Sequence, residues 1–236
     1  MVKEFNNQSD NPVLSIVDNA EYFEYVRKVH DEAGQGGGND LFVERFDLLY
    51  PDGRKIRKDE NSLEVATATR KLVHQNGLWH AAVLVCLIDK YSGDILIQQR
   101  GDNKDKNATL WDVSAAGHVP NSSDPVQCVA REMFEEISNL IPGSSVKVQD
   151  MRVVGNSYRD SRVYSENFIE NQFYTLVAYK SPKKLNLANI SIQESEVKDI
   201  DIVSLDKLIK MSKSKEFVPG REEAVMRLTE YVLQAV

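Results

Sequence analysis

AAGHVPNSSDPVQCVAREMFEEISNLI, the stretch from Ala115 to Ile141, decides how the rest of the chain is read. Over 124–141 the apolar residues Val126, Ala130, Met133, Ile137 and Leu140 recur at spacings of three and four. That rhythm predicts a helix with one apolar face. Glu132 and Glu136 stand four apart on a face turned away from the apolar stripe, with Glu135 beside them. Like charges at this spacing destabilise a helix by about 0.2–0.5 kcal/mol unless a cation bridges them. Carboxylates with a nearby backbone carbonyl form a hard-oxygen site suited to Mg²⁺ or Mn²⁺. Gly117 lets the preceding loop come close to such an ion. Acidic helix faces are usually just solvated, so the glutamates alone do not define a site.

Around this helix the chain alternates short apolar runs with turn signals. HAAVLVCLID at 80–89, the turn Ser92-Gly93 and DILIQQR at 94–100 predict a central hairpin. A short strand at Phe46 to Tyr50 precedes the turn Pro51-Asp52-Gly53, and VKVQDMRVVGNSY, NQFYTLVAYK and VKDIDIV read as later strands. A last helix is expected over Arg221 to Ala235. Residues 13–30 look helical, and GQGGGND at 34–40 then breaks the pattern, with four glycines between Gly34 and Gly38. The expected organisation is an N-terminal helical extension with a Gly-rich hinge over 1–40 and one domain over 41–236. Strands and helices mixed without regular alternation predict the α+β class.

The 236 residues are 42% hydrophobic and 28% charged, with a formal net charge of -7. The acidity argues against a general nucleic-acid binder, which usually shows a basic patch or stripe. Cys86 and Cys128, the two cysteines, show no ligand spacing and are expected as buried free thiols. The start, MVKEFNNQSD, lacks the apolar stretch of a signal peptide, and the longest apolar run has eight residues, against the ~20 that span a bilayer. The expected setting is the cytoplasm, with a small-molecule substrate, no nucleic acid, no membrane, and a homodimer left open.

The spacing from Gly117 to Arg131-Glu132 gives the acidic helix a more specific meaning. The segment resembles the box of the Nudix hydrolases, and Gly117, Arg131, Glu132, Met133, Glu135 and Glu136 fall in register with it. Ser123 stands where the first box glutamate belongs, Ser138 replaces the second glycine and Asn139 an apolar residue. The resemblance covers about residues 44–210, and GLWHAAVLV…ILIQQRGDNKD…LWDVSAAGHV is similar to the branch related to isopentenyl-diphosphate isomerase. It implies an α/β/α sandwich around a mixed sheet and a metal-dependent diphosphatase. Glu132, Glu135 and Glu136 would hold Mg²⁺ or Mn²⁺, and Glu132 and Glu135 would be catalytic. The substrate it implies is a diphosphate-linked small molecule, with nucleoside diphosphate derivatives the best-fitting class. The alternatives are an isomerase-like protein and a non-catalytic ligand-binding module, the latter motivated by Ser123 and Ser138.

The isomerase reading is tested by two residues. Its catalytic cysteine falls at Ala116, and its catalytic glutamate falls at Gln172, so both proton-transfer groups are missing. Its metal scaffold survives better: His80 and His118 match two histidine ligands, Glu170 a carboxylate, and His74 a third histidine with the spacing off by one. The competing reading of His80 and His118 is as hydrogen-bonded residues of sheet and loop.

Arg100, Lys104 and His118 are candidates for substrate binding, with Lys106 close by. Trp79 and Trp111 are read mainly as core or pocket-wall residues. Arg159 and Arg162 are expected on a variable loop, from which they could reach an anionic substrate. The general base stays open between Glu132, Glu135, Glu166, Glu170, Glu194 and Glu196.

Overall fold

The computed structural model describes residues 19–33, 44–59, 62–138 and 148–234. In chain order the elements are α1 (Asn19–Ala33), β1 (Arg45–Asp47), β2 (Thr67–Thr69), α2 (Arg70–Asn76) and β3 (His80–Asp89). β4 (Ile95–Arg100), β5 (Trp111–Asp112), β6 (Ala115–His118), α3 (Pro125–Glu136) and β7 (Ile137–Ser138) follow. The remainder is β8 (Met151–Val153), β9 (Tyr158–Ser165), β10 (Phe168–Ser181), β11 (Ser191–Ile192), β12 (Val197–Val203), α4 (Leu205–Met211) and α5 (Glu222–Gln234). This is the α+β class expected from the sequence. The Gly34 to Gly38 hinge lies outside the described residues. Among the described residues no helix is long and apolar enough to cross a membrane.

The chain divides into two compact units, the first made of Met1–Ala82, His118–Ser123 and Tyr158–Tyr174. Tyr22, Val26 and Val29 recur every three or four residues along α1 and are buried in one cluster with Phe46, Leu48, Ile56, Val73 and Trp79. The Trp79 N–H donates to the Tyr22 hydroxyl at 2.9 Å, so the helix is fixed by a directional bond as well as by apolar burial. β1 runs antiparallel to β2, with Phe46 opposite Ala68. α2 is seven residues long and owes its existence to its ends. Thr69 accepts from the Leu72 N–H, and Gly77 closes the helix in a left-handed conformation at φ 59°. A Cβ on Gly77 would also meet Ile169 Cγ2 at 2.8 Å, so no larger residue fits there. The Asn171 amide donates to the Gly77 carbonyl at 2.6 Å and ties α2 to β10.

β9 corrects one expectation: Arg159 and Arg162 lie on a strand, not on a variable loop. β9 pairs antiparallel with β10, setting Arg162 opposite Glu170. Arg162 is bidentate on Asp160, at 2.8 and 3.3 Å.

The second unit comprises Val83–Gly117, Asp124–Ser157 and Thr175–Val236. Its sheet has the order β12-β4-β3-β10-β8. β12 lies antiparallel to β4 with Val203 opposite Ile95, and the β3–β4 hairpin pairs Ile88 with Ile95. Val83 to Ile88 and Ile95 to Ile97 are buried, which is why these strands read as continuous apolar runs. On α3, Val129 and Met133 are buried and Arg131 is exposed. The helix stops at Glu136, five residues short of the expected end, because Ile137 and Ser138 pair with Ile192 and Ser191 instead. β-Branched Ile137 favours that extended pairing. Leu140 lies outside the described residues. The run VKVQDMRVVGNSY is likewise divided: a 3-10 turn at Val148–Asp150 precedes β8, and Gly155 at φ 67° turns the chain before β9.

Candidate active site

The first unit gathers a nitrogen-rich cluster from four separate segments. His74 comes from α2, His80 from the start of β3, His118 from the end of β6 and Glu170 from β10. One ring nitrogen from each histidine lies within 4.8 Å of those of the other two. Glu170 Oε1 stands 3.7 Å from His74 Nε2 and 3.9 Å from His118 Nε2. His74 Nδ1 is 2.7 Å from the Arg70 carbonyl, and His80 Nδ1 is 2.9 Å from the Leu78 carbonyl. A carbonyl only accepts, so both Nδ1 atoms carry the proton and both Nε2 atoms present a lone pair to the cluster. Histidines that hold metals are oriented in this way by their second nitrogen. Phe46 stacks on both His80 and His118, with centroids 5.2 and 4.8 Å away, and closes one side with an apolar face.

Gln172 occupies the remaining polar position. Its Nε2 lies 3.2 Å from His80 Nε2, 3.0 Å from His118 Nε2 and 3.2 Å from Glu170 Oε1. Its Oε1 accepts from the Tyr174 hydroxyl. Arg70 Nη1 is 3.2 Å from His118 Nδ1 and 3.1 Å from Glu44 Oε2, which orients that ring from outside. Three imidazoles and one carboxylate fit a borderline divalent ion of the zinc and cobalt kind better than an oxygen-seeking Mg²⁺.

In the second unit, Glu132, Glu135 and Glu136 lie in the C-terminal half of α3, with Glu132 and Glu136 one turn apart. Their side chains lie outside what is described. As a donor set three carboxylates offer only oxygen, which suits Mg²⁺ or Mn²⁺. The helix starts cleanly: Asp124 Oδ1 accepts from the Val126 and Gln127 N–H groups at 2.9 and 3.1 Å, and Pro125 takes the first helical position. Arg100 ends β4 with only 14% of its side chain exposed, 3.7 Å from Asp112. Lys104 is ion-paired with Glu196, and the Gly101 N–H donates to the Glu196 carbonyl at 2.8 Å.

Sequence reasoning therefore placed His74, His80, His118 and Glu170 as a group through resemblance, and the geometry brings them together. It missed Asp112 and Arg221, whose side chains meet across 109 positions. An aspartate inside an apolar stretch was the available signal. Trp79 is a core residue, 1% exposed and 5.1 Å from Phe173.

An α+β fold with a carboxylate helix of this pattern is that of a hydrolase of diphosphates, and the comparisons agree. The NUDIX domain family matches residues 78–228. An uncharacterized Nudix hydrolase of Listeria innocua is 29% identical over 177 residues, covering 75% of this chain and 89% of its own. An isopentenyl-diphosphate Delta-isomerase of Serratia proteamaculans is 30% identical over 118 residues, or 50% of this chain and 59% of its own. Among solved structures, a Deinococcus radiodurans protein matches 78% of this chain and 99% of its own with a TM-score of 0.50 and 17% identity, a likeness of fold. The chain belongs to the Nudix family and is a Nudix diphosphatase.

Proposed function

We propose that this enzyme hydrolyses a nucleoside diphosphate derivative with Mg²⁺ or Mn²⁺ held by Glu132, Glu135 and Glu136. The observation that carries the reading is the register of Gly117, Arg131, Glu132, Glu135 and Glu136 with the family's box, the last four lying on a capped helix. A divalent ion held by these glutamates would neutralise diphosphate charge and activate water. Glu132 and Glu135 are the proposed catalytic residues. One of them accepts the proton of water as its oxygen bonds to phosphorus, and the bridging P–O bond breaks to leave two phosphorylated products. Arg100 and Lys104 are the proposed substrate contacts.

The histidine cluster supports a second cation site, in which His74, His80, His118 and Glu170 hold a nitrogen-preferring ion. It does not support isomerase chemistry, since Ala116 and Gln172 offer no acid–base pair.

The test is a phosphate-release screen over nucleotide sugars, nucleoside di- and triphosphates, dinucleotide cofactors and isoprenoid diphosphates, with and without Mg²⁺ or Mn²⁺. Metal-dependent turnover of a nucleoside diphosphate derivative is the expected result. Ligand binding without turnover across the screen makes the protein a binding module instead.

A further inference from the structure

The second unit contains a buried carboxylate that faces two arginines, and their unequal distances carry a consequence for anion binding. β5 is two residues long and is held from both edges. On one side Gln98 and Gln99 of β4 pair with Asp112 and Trp111. On the other side the Trp111 N–H donates to the Glu216 carbonyl and the Val218 N–H donates to the Trp111 carbonyl, each at 2.8 Å. Gly220, at φ 83°, then turns the chain in a conformation that side chains disfavour. This turn brings Arg221 into the interior beside Asp112.

Arg221 takes the better hydrogen bonds. Its Nε and Nη2 reach Asp112 Oδ1 and Oδ2 at 2.8 and 3.3 Å, and the Val113 N–H adds a 2.8 Å bond to Oδ1. Arg100 is left with Nη1 3.7 Å from Oδ2, within ion-pair range but beyond a hydrogen bond. Among the described residues its Nη2 reaches only the Lys106 carbonyl, at 3.5 Å, and its buried Nε has no hydrogen-bond partner. Two guanidinium charges against one carboxylate leave one positive charge in excess among these three side chains. Asp112 is fully buried and Arg221 is 8% exposed, so water screens this imbalance weakly.

We infer that Arg221 is a positioning residue that keeps Arg100 available to an anionic phosphoryl group. By satisfying Asp112, it prevents that carboxylate from drawing Arg100 into a bidentate pair. Without the Arg221 charge, desolvated Asp112 has Arg100 as its nearest cation, the two close up, and the excess charge disappears. The inference rests on the reading of Arg100 as a phosphate-facing group.

The experiment measures binding of inorganic pyrophosphate to the full chain by calorimetry, at a temperature where thermal unfolding shows every variant folded. Arg100→Gln and Arg221→Met should each weaken binding by about tenfold, and the double variant should be no weaker than either alone. Arg221→Met/Asp112→Asn should regain most of the affinity, since the carboxylate that sequesters Arg100 is gone. It should also be at least as stable as Arg221→Met, because the buried carboxylate that lost its hydrogen bonds to Arg221 is replaced by a neutral amide. Unchanged affinity in folded Arg221→Met, additive losses in the double variant, or no recovery with Asp112→Asn would each overturn the inference. If the unmodified protein binds no pyrophosphate, the phosphate role of Arg100 falls and this inference with it. If pyrophosphate binds as described but no substrate is hydrolysed, the proposed reaction fails and the role of Arg221 stands.

Discussion

Gln172 places its amide nitrogen 3.2 Å from Nε2 of His80, so an amide stands where proton chemistry on carbon would need an acid. An amide neither gives nor takes a proton near neutral pH. Ala116, at the other required position, carries no titratable group. Incubation with isopentenyl diphosphate in deuterated water should therefore give no labelled dimethylallyl product. Catalytic incorporation of deuterium, followed by mass spectrometry, would show that another acid–base pair does the work.

The histidine cluster and the carboxylate helix differ in donor chemistry, and a spectroscopic metal separates them. Co²⁺ at a nitrogen-rich site of four protein ligands should give intense visible ligand-field bands, whereas an all-oxygen site gives weak ones. His80→Ala should abolish the intense bands, and Glu136→Gln should leave them. Chelation should lower the unfolding temperature of the wild type, since His74, His80, His118 and Glu170 join α2, β3, β6 and β10. Identical spectra for wild type and His80→Ala would rule the cluster out as the cobalt site.

On α3, Glu136→Gln removes a charge while keeping the shape. Hydrolysis should fall by at least about 10²-fold, or ~2.7 kcal/mol of barrier. Without metal the fold should be unchanged or slightly more stable, because a like-charge pair with Glu132 is relieved. Full activity in this variant would mean that the metal is held elsewhere.

How much of this was visible in the sequence depended on range. The run HAAVLVCLID became β3 at its expected bounds, because a strand buried on both faces has no polar interruption to confuse its limits. VKDIDIV also became β12 as read. α2 escaped notice because its seven residues are too few to show periodicity, although its Thr69 and Gly77 caps were available as signals. The strand character of β9 was settled by its hairpin with the adjacent β10, and the end of α3 by pairing with a distant partner, Ile192. The Asp112–Arg221 pair was beyond local reading for the same reason. His74, His80, His118 and Glu170 were grouped only by resemblance, since no local spacing joins a helix and three strands.

Both cysteines are buried thiols outside any disulfide, as their neighbourhoods suggested. Burial pushes the Cys86 thiol up to about 12, with Asp112 adding to the rise and Arg221 opposing it. The folded protein thus holds this proton more tightly than the unfolded chain, whose thiol has the ordinary value of 9.0. The associated stability is fully present below pH 9.0 and is lost as pH climbs from there toward 12. At about pH 8 a thiol reagent should label neither cysteine until the protein unfolds. Labelling kinetics across a urea series should track global unfolding. Fast stoichiometric labelling of one thiol in native buffer would reveal a local opening that this burial does not predict.

The last prediction concerns Asp124, which stands beside the box departure at Ser123. If the acid that normally supports the box arginine is replaced by its neighbour, Asp124 should act through its charge. The structure gives its Oδ1 another task, accepting the Val126 and Gln127 N–H groups at the start of α3. Those two donors are among the first four of the helix, which have no intrahelical partner. Asparagine caps nearly as well as aspartate and alanine does not. Asp124→Ala should therefore cost about 1 kcal/mol, and Asp124→Asn only a few tenths, the remainder being the favourable charge at the helix N-terminus. Turnover should follow the same order, with alanine lowering it modestly through fraying of the helix that carries Glu132 and Glu136. Urea unfolding and the Mg²⁺ dependence of hydrolysis measure both effects. An Asp124→Asn variant as damaged as Asp124→Ala would mean that the carboxylate charge, rather than the cap, is what the site uses.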